Sequence, residues 1–83
     1  MGEAERKVRT IVRDVLAAKG ANDGVMTADL SAPLYEADGG LGLDSLATAE
    51  LSALLEQEFG SDPYSQGNFV TTLGELVRFY EAK

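Results

Sequence analysis

The stretch Gly39-Gly40-Leu41-Gly42-Leu43-Asp44-Ser45-Leu46 brings one serine, Ser45, to the predicted start of a long amphipathic helix. The first backbone N–H groups of a helix have no partner within the helix, and the helix dipole adds partial positive charge there. An anion attached to Ser45 would therefore be stabilised. We interpret Ser45 as an attachment point, although Asp and Ser before a helix are also common caps with no other role.

The helix that begins at Ser45 is predicted to run to about Phe59 and to end at Gly60, a favoured residue after a helix C-terminus. Its apolar stripe is predicted to be buried, and it consists of Leu51, Leu54, Leu55 and Phe59, with Ala47 extending it. Other faces of the helix carry one leucine, small residues and acids. These residues are the candidate partner-binding positions: Leu46, Ala49, Glu50, Ala53 and Glu56.

A first helix is predicted from about Glu3 to Lys19, followed by Gly20 as its terminating glycine. Its apolar residues recur at helical spacing, and they are Val8, Ile11, Val12, Val15 and Leu16. The basic residues of this helix are predicted to form a solvated face, and they are Arg6, Lys7, Arg9 and Arg13.

The connection from Ala21 to Asp44 is far longer than a usual helix–helix loop. It contains too many apolar residues for a solvated linker, so we expect it to be ordered and packed across the helices. A short helical turn is predicted near residues 27–30, and Pro33 prevents a longer helix there.

Beyond Gly60, Asp62 and Pro63 favour a short helical turn over residues 64–67. Thr72 and Glu75 then form a capping box for a last helix that extends to about Ala82. Gly74 costs this helix about 1 kcal/mol relative to alanine, so its first turn is expected to fray. The predicted fold is one all-α domain over residues 1–83, a small bundle of three main helices plus a short fourth helix.

The residue inventory excludes most catalytic chemistry. The 83 residues include no histidine and no cysteine, so no Ser-His or Cys-His pair, thiolate or His/Cys metal site is possible. The glycine-rich stretch lacks the Gly-Lys-Ser/Thr of a nucleotide loop, and too few oxygen ligands follow Glu36 and Asp38 for a calcium loop. We therefore expect no catalytic residue, no bound metal and no enzyme activity.

The charge distribution predicts the kind of partner. The net charge is -7, and the segment from Gly20 to Val77 contains ten acids and no basic residue. Nucleic acid and anionic membranes are poor partners for such a surface, whereas a basic patch on another protein is a good one. No apolar run follows the charged N-terminus, so we expect no signal peptide, no membrane span and a cytoplasmic location.

The run from Gly40 to Gly60 closely resembles the acyl carrier protein family at its phosphopantetheine site and following helix. The order of elements matches over nearly the whole chain. The resemblance implies that a phosphopantetheinyl transferase attaches a 4'-phosphopantetheine arm to Ser45, with Asp44 contributing to transferase recognition. It also implies that partner enzymes, which load, extend or condense acyl groups, meet Leu46, Glu50 and Glu56 on the carrier, which we expect to be a monomer.

Departures from the fatty-acid carriers narrow this expectation. Ala47 and Gln57 replace acids that are common in those carriers, and Ala53 replaces a larger apolar residue. We therefore expect a free-standing acyl carrier of polyketide or nonribosomal peptide biosynthesis. One alternative is an aminoacyl or peptidyl carrier of a nonribosomal peptide pathway. An alternative of another class is a helical interaction module in which Ser45 only caps the helix and an acidic face docks a partner.

Overall fold

The computed structural model describes residues 2–18, 24–25, 27–35, 40–67 and 70–81. These residues contain three helices. They are α1 (Glu3–Ala17), α2 (Ser45–Phe59) and α3 (Leu73–Glu81), and α1 contacts both of the others. The described ranges contain no β-strand and only two isolated bridges, Pro33 with Thr72 and Tyr35 with Leu43. The predicted all-α class is therefore confirmed.

Helix α1 has the predicted buried stripe but ends earlier, at Ala17. Val8, Val12, Val15 and Leu16 are buried, and Ile11 packs at the edge of the core. Gly2 precedes the helix in an extended conformation, and no side chain caps the first turn. The predicted end at Lys19 and Gly20 lies outside the described residues.

Arg9 contradicts the prediction that all four basic residues of α1 lie on a solvated face. It is only 5% exposed, and its guanidinium group donates hydrogen bonds to the carbonyl oxygens of Val25 and Ala28, both at 2.8 Å. The carboxylate of Glu5 lies 2.9 Å from Arg9 Nη2, one turn earlier on α1. The physical reason is that the following loop crosses α1 here and brings backbone carbonyls that need donors.

The connection between α1 and α2 is ordered where it is described, as predicted. Val25, Leu34 and Leu43 are buried in the core, and Leu34 N–H donates to the Thr71 carbonyl at 2.9 Å. The helical turn expected at residues 27–30 is wrong, because this segment forms separate turns. Asp29 accepts a hydrogen bond from the Ser31 backbone N–H at 2.9 Å, a local pairing that competes with helix formation.

Helix α2 ends as predicted but buries a narrower stripe than predicted. Gly60 has the left-handed φ of 86°, and its N–H donates to the Glu56 carbonyl at 2.7 Å. Ala47, Leu51 and Leu55 are buried, whereas Leu54 is 37% exposed, so its predicted burial is wrong. Leu54 lies about 100° around the helix from Leu55, outside the sector that the rest of the bundle covers.

No fourth helix forms among the described residues, but turns form where the sequence predicts a short helical turn. Residues 63–67 form two consecutive turns, closed by N–H groups of Gln66 and Gly67 that donate to Pro63 and Tyr64, each at 3.2 Å. Gly67 has φ of 79°, a left-handed conformation that cannot continue a right-handed helix. The described residues therefore contain three helices rather than four.

Helix α3 begins with the predicted capping box. Glu75 N–H donates to Thr72 Oγ1 at 3.1 Å, and Thr72 N–H donates to Glu75 Oε1 at 3.3 Å. The predicted end at Ala82 lies outside the described residues, and the helix is described to Glu81. In the described part of the chain, no helix is both long and apolar enough to cross a membrane.

Gly74 is required by packing, a role that its position in the first turn of α3 does not reveal from the sequence. Its N–H donates to the Leu30 carbonyl at 2.7 Å, and a Cβ added here would lie 2.8 Å from the same oxygen. The loop therefore approaches α3 at a distance that only glycine allows. Gly74 is buried at this crossing rather than exposed in a weak first turn.

We predict that Gly74→Ala destabilises the protein by about 1–3 kcal/mol, because overpacking outweighs the gain in helix propensity of about 1 kcal/mol. Urea unfolding measures the difference. Gly24→Ala is the matched control, because nothing lies within 4 Å of its added Cβ and its effect should be neutral or slightly stabilising. A Gly74→Ala protein more stable than the wild type would contradict the close approach.

Candidate functional site

Ser45 is the first residue of α2, and the residue that caps the helix is Asp44. Asp44 is extended, and its Oδ1 accepts a hydrogen bond from the Ala47 N–H at 2.8 Å. The Asp44 carbonyl accepts the first helical bond from Thr48 N–H, also at 2.8 Å. Ser45 is exposed, and no described residue forms a hydrogen bond with its hydroxyl group. Capping therefore does not occupy the Ser45 hydroxyl.

The loop before Ser45 is held in place by its backbone. Leu41 N–H donates to the Pro33 carbonyl at 2.9 Å, and Leu43 N–H donates to the Leu34 carbonyl at 3.0 Å. Between them, Gly42 has φ of 93°, a conformation that favours glycine, and Leu43 is buried. Gly39, the first residue of the glycine-rich stretch, lies outside the described residues. The backbone bonds of Leu41 and Leu43 and the conformation of Gly42 thus fix the position of Ser45.

The electrostatics at Ser45 favour an attached anion without a basic side chain. The loop residues 40–44 and α2 itself carry no Lys or Arg, and the N-terminus of α2 supplies partial positive charge at Ser45. Asp44 takes the Ala47 N–H, which leaves the earlier first-turn amides for another acceptor. The described residues contain no cluster of three or more His, Cys, Asp or Glu side chains that could hold a metal ion.

A face of α2 next to Ser45 exposes apolar side chains between acids. Leu46 is 71% exposed, and Leu54 joins it on this face, although the sequence interpretation had assigned Leu54 to the core. The other four predicted partner-binding residues are exposed as well, namely Ala49, Glu50, Ala53 and Glu56. No sequence signal separates Leu54 from the buried stripe, because it lies only about 20° around the helix from buried Ala47.

A groove of about 330 Å³ opens directly beside Ser45. The residues that line it come from the loop, the start of α2 and the turn after α2, and they are Tyr35, Leu43, Asp44, Ser45, Thr48 and Tyr64. Tyr35 Oη lies 2.9 Å from the Val70 carbonyl and 3.1 Å from Tyr64 Oη. Sequence reasoning missed Tyr35 and Tyr64, because both are distant from Ser45 in the sequence, and it also missed Thr48, which lies one turn after Ser45 on α2.

Buried Asp62 stabilises the turn that carries Tyr64. Burial by itself would raise the pKa of Asp62, but the Ser65 N–H and the hydroxyls of Ser52 and Ser65 donate to the carboxylate and hold its pKa below the ordinary value. Burial and the contact with Tyr35 raise the pKa of Tyr64, so Tyr64 remains a protonated hydroxyl. Both groups therefore keep one charge state at neutral pH.

The comparison with protein families identifies the chain's group. The family described as "Phosphopantetheine attachment site" matches residues 6–80. Comparisons with curated proteins and with solved structures give no match. Members of this family carry a covalent 4'-phosphopantetheine group, and the exposed hydroxyl at the N-terminus of α2 suits a phosphodiester. Because the match spans nearly the whole chain, this protein belongs to the phosphopantetheine-binding carrier family, which is the acyl-carrier-like family predicted from its sequence.

Proposed function

We propose that Ser45 carries the phosphopantetheine arm and that the protein transports acyl groups as thioesters between partner enzymes. The observation that carries this proposal is the position of Ser45 at the start of α2, exposed and free of the capping role that Asp44 fills. The arm supplies the thiol that this cysteine-free chain lacks. With no histidine to activate the serine, the chain holds the cargo and partner enzymes perform the chemistry.

The exposed face of α2 is the proposed docking surface for those enzymes, which are a phosphopantetheinyl transferase, a loading enzyme and a synthase or condensing enzyme. Leu46 offers an apolar side chain beside Ser45, and Glu50 and Glu56 offer negative charge to a basic partner surface. Asp44 contributes to transferase recognition by fixing the first turn of α2. We propose neither nucleic acid nor a membrane surface as a partner, because the segment from Gly20 to Val77 is acidic and would repel both.

We propose that the protein is a monomeric cytoplasmic carrier that serves the biosynthesis of a polyketide or a nonribosomal peptide. Its support is the departure of Ala47, Ala53 and Gln57 from the acidic and larger apolar residues that are common in fatty-acid carriers. An aminoacyl or peptidyl cargo is the second candidate, because the same arm and serine serve both kinds of thioester. A helical interaction module in which Ser45 only caps α2 is disfavoured, since Asp44 is the cap.

Incubation with coenzyme A, Mg²⁺ and a broad-specificity transferase tests the attachment. We expect one added phosphopantetheine mass, and peptide mapping should locate it on Ser45 rather than on another serine. A different modified residue, or no adduct, would overturn the proposal. The mass of the loaded protein isolated from its native host then separates acyl from aminoacyl cargo, and it also tests whether the carrier is free-standing, as its sequence predicts.

Leu46→Ala is expected to lower the kcat/KM of transferase loading about tenfold, which corresponds to about 1.4 kcal/mol, because it removes the most exposed apolar contact next to the modified serine. Leu30→Ala is the matched control, since Leu30 is also exposed but lies beside α3. Equal loading rates for the two variants would show that Leu46 makes no contact with the transferase.

A further inference from the structure

The groove beside Ser45 has a polar inventory that is consistent with one kind of ligand. Tyr35 has a single hydroxyl proton, and the Val70 carbonyl, 2.9 Å away, can only accept. Tyr35 therefore donates to Val70 and accepts from Tyr64, whose hydroxyl lies 3.1 Å away. This arrangement uses the proton of Tyr64 and leaves its oxygen able to accept a further hydrogen bond.

Thr48 also offers the groove a hydrogen-bond acceptor rather than a donor. Its Oγ1 donates to the Asp44 carbonyl at 2.8 Å, so its proton is also used within the protein. The remaining capacity of the Thr48 and Tyr64 hydroxyls is thus that of acceptors. Asp44 also lines the groove, and its carboxylate only accepts hydrogen bonds, whereas Leu43 and the two tyrosine rings make most of the remaining lining apolar. A well-matched ligand therefore combines a compact apolar group with hydrogen-bond donors.

The section of a phosphopantetheine arm nearest its phosphate has this chemistry. A methylene group follows the phosphate, and then come a carbon bearing two methyl groups, a carbon bearing a hydroxyl, and an amide whose N–H is a donor. We propose that the groove holds this proximal section, with its methyl groups against the apolar lining and its donors toward Thr48 and Tyr64. The proposal rests on attachment at Ser45, which is one of the residues that line the groove.

The position of the groove favours the arm over the cargo. Ser45 itself lines the groove, whereas cargo is bonded to the thiol at the far end of the arm. A simple acyl chain also has no donor, so it would cover the two acceptor oxygens without satisfying them. The walls are fixed before loading by the bonds of Tyr35 and by Asp62, which caps the turn that carries Tyr64. Little ordering is therefore required on binding.

Nuclear magnetic resonance of the loaded 83-residue chain tests this inference without an activity assay. We expect nuclear Overhauser effects between the methyl groups of the arm and the rings of Tyr35 and Tyr64. We also expect slow exchange of the first amide proton of the arm. Loaded protein that shows neither signal would overturn the inference but leave attachment intact, whereas absence of the mass adduct would instead overturn the proposed function.

Tyr64→Phe provides the variant test, because it keeps the ring and removes the acceptor oxygen. The loaded wild type should have a higher Tm than the unloaded protein, and Tyr64→Phe should lose about half of that gain or more. Tyr80→Phe is the matched control, since Tyr80 also loses one hydrogen bond, to the Ser61 carbonyl at 2.9 Å, but does not line the groove. An equal Tm gain in both variants would overturn the role of Tyr64.

Discussion

Replacement of Ser45 by alanine is expected to abolish phosphopantetheine loading and to leave the stability of the fold unchanged. Loading stops because alanine has no oxygen to form the phosphodiester. Stability is preserved, within about 0.5 kcal/mol, because the Ser45 hydroxyl bonds to no described residue and alanine is a good helix former. Intact-mass measurement after transferase treatment and urea unfolding of the unloaded protein test the two halves separately.

Asp44→Ala is the control that distinguishes attachment from capping. Asp44 Oδ1 accepts the Ala47 N–H, so its loss should cost about 1 kcal/mol even before loading. If Ser45 were the cap, the order of the two effects would be reversed. A Ser45→Ala protein that still gains the mass, or that loses as much stability as Asp44→Ala, would contradict our assignment.

Arg9→Met is expected to lower the free energy of unfolding by about 3 kcal/mol. Methionine keeps much of the apolar stem but removes the donors to the Val25 and Ala28 carbonyls and the partner of Glu5. Each buried hydrogen bond to a charged group contributes about 1.5–3 kcal/mol, and the orphaned carbonyls then lose their partners. This loss is a large share of the 5–15 kcal/mol that typically stabilises a native protein.

Arg6→Met is the matched control for Arg9→Met, because Arg6 lies three residues earlier on the same helix and is exposed. Its effect should stay within about 0.5 kcal/mol. Urea unfolding, fitted with one m-value shared by all variants, gives the free energies of unfolding to be compared. Equal stabilities of the two variants would mean that the loop does not depend on Arg9 for its anchoring.

Several features were predictable because they depend on near neighbours in the chain. The Thr72–Glu75 capping box and the Gly60 terminus are local hydrogen-bond patterns, and both were confirmed. The start of α2 at Ser45 follows from Asp44 and the glycine-rich approach. The carrier family followed from the same residues and was confirmed by the match to residues 6–80.

Other features required the tertiary arrangement, because each depends on a segment distant in sequence. Gly74 resembles a weak point in a helix until the Leu30 carbonyl is seen 2.8 Å from its missing Cβ. Leu54 fits an apolar stripe, but the bundle covers a narrower sector of α2.

By itself, the sequence determined the three helices, the position of Ser45 and the lack of histidine and cysteine, because these follow from residue identity and short-range periodicity. Only the tertiary structure decided that Arg9 is buried and that Tyr35 and Tyr64 form a groove beside Ser45. Those contacts join residues 16 to 35 positions apart, and no local pattern encodes a pairing over such distances.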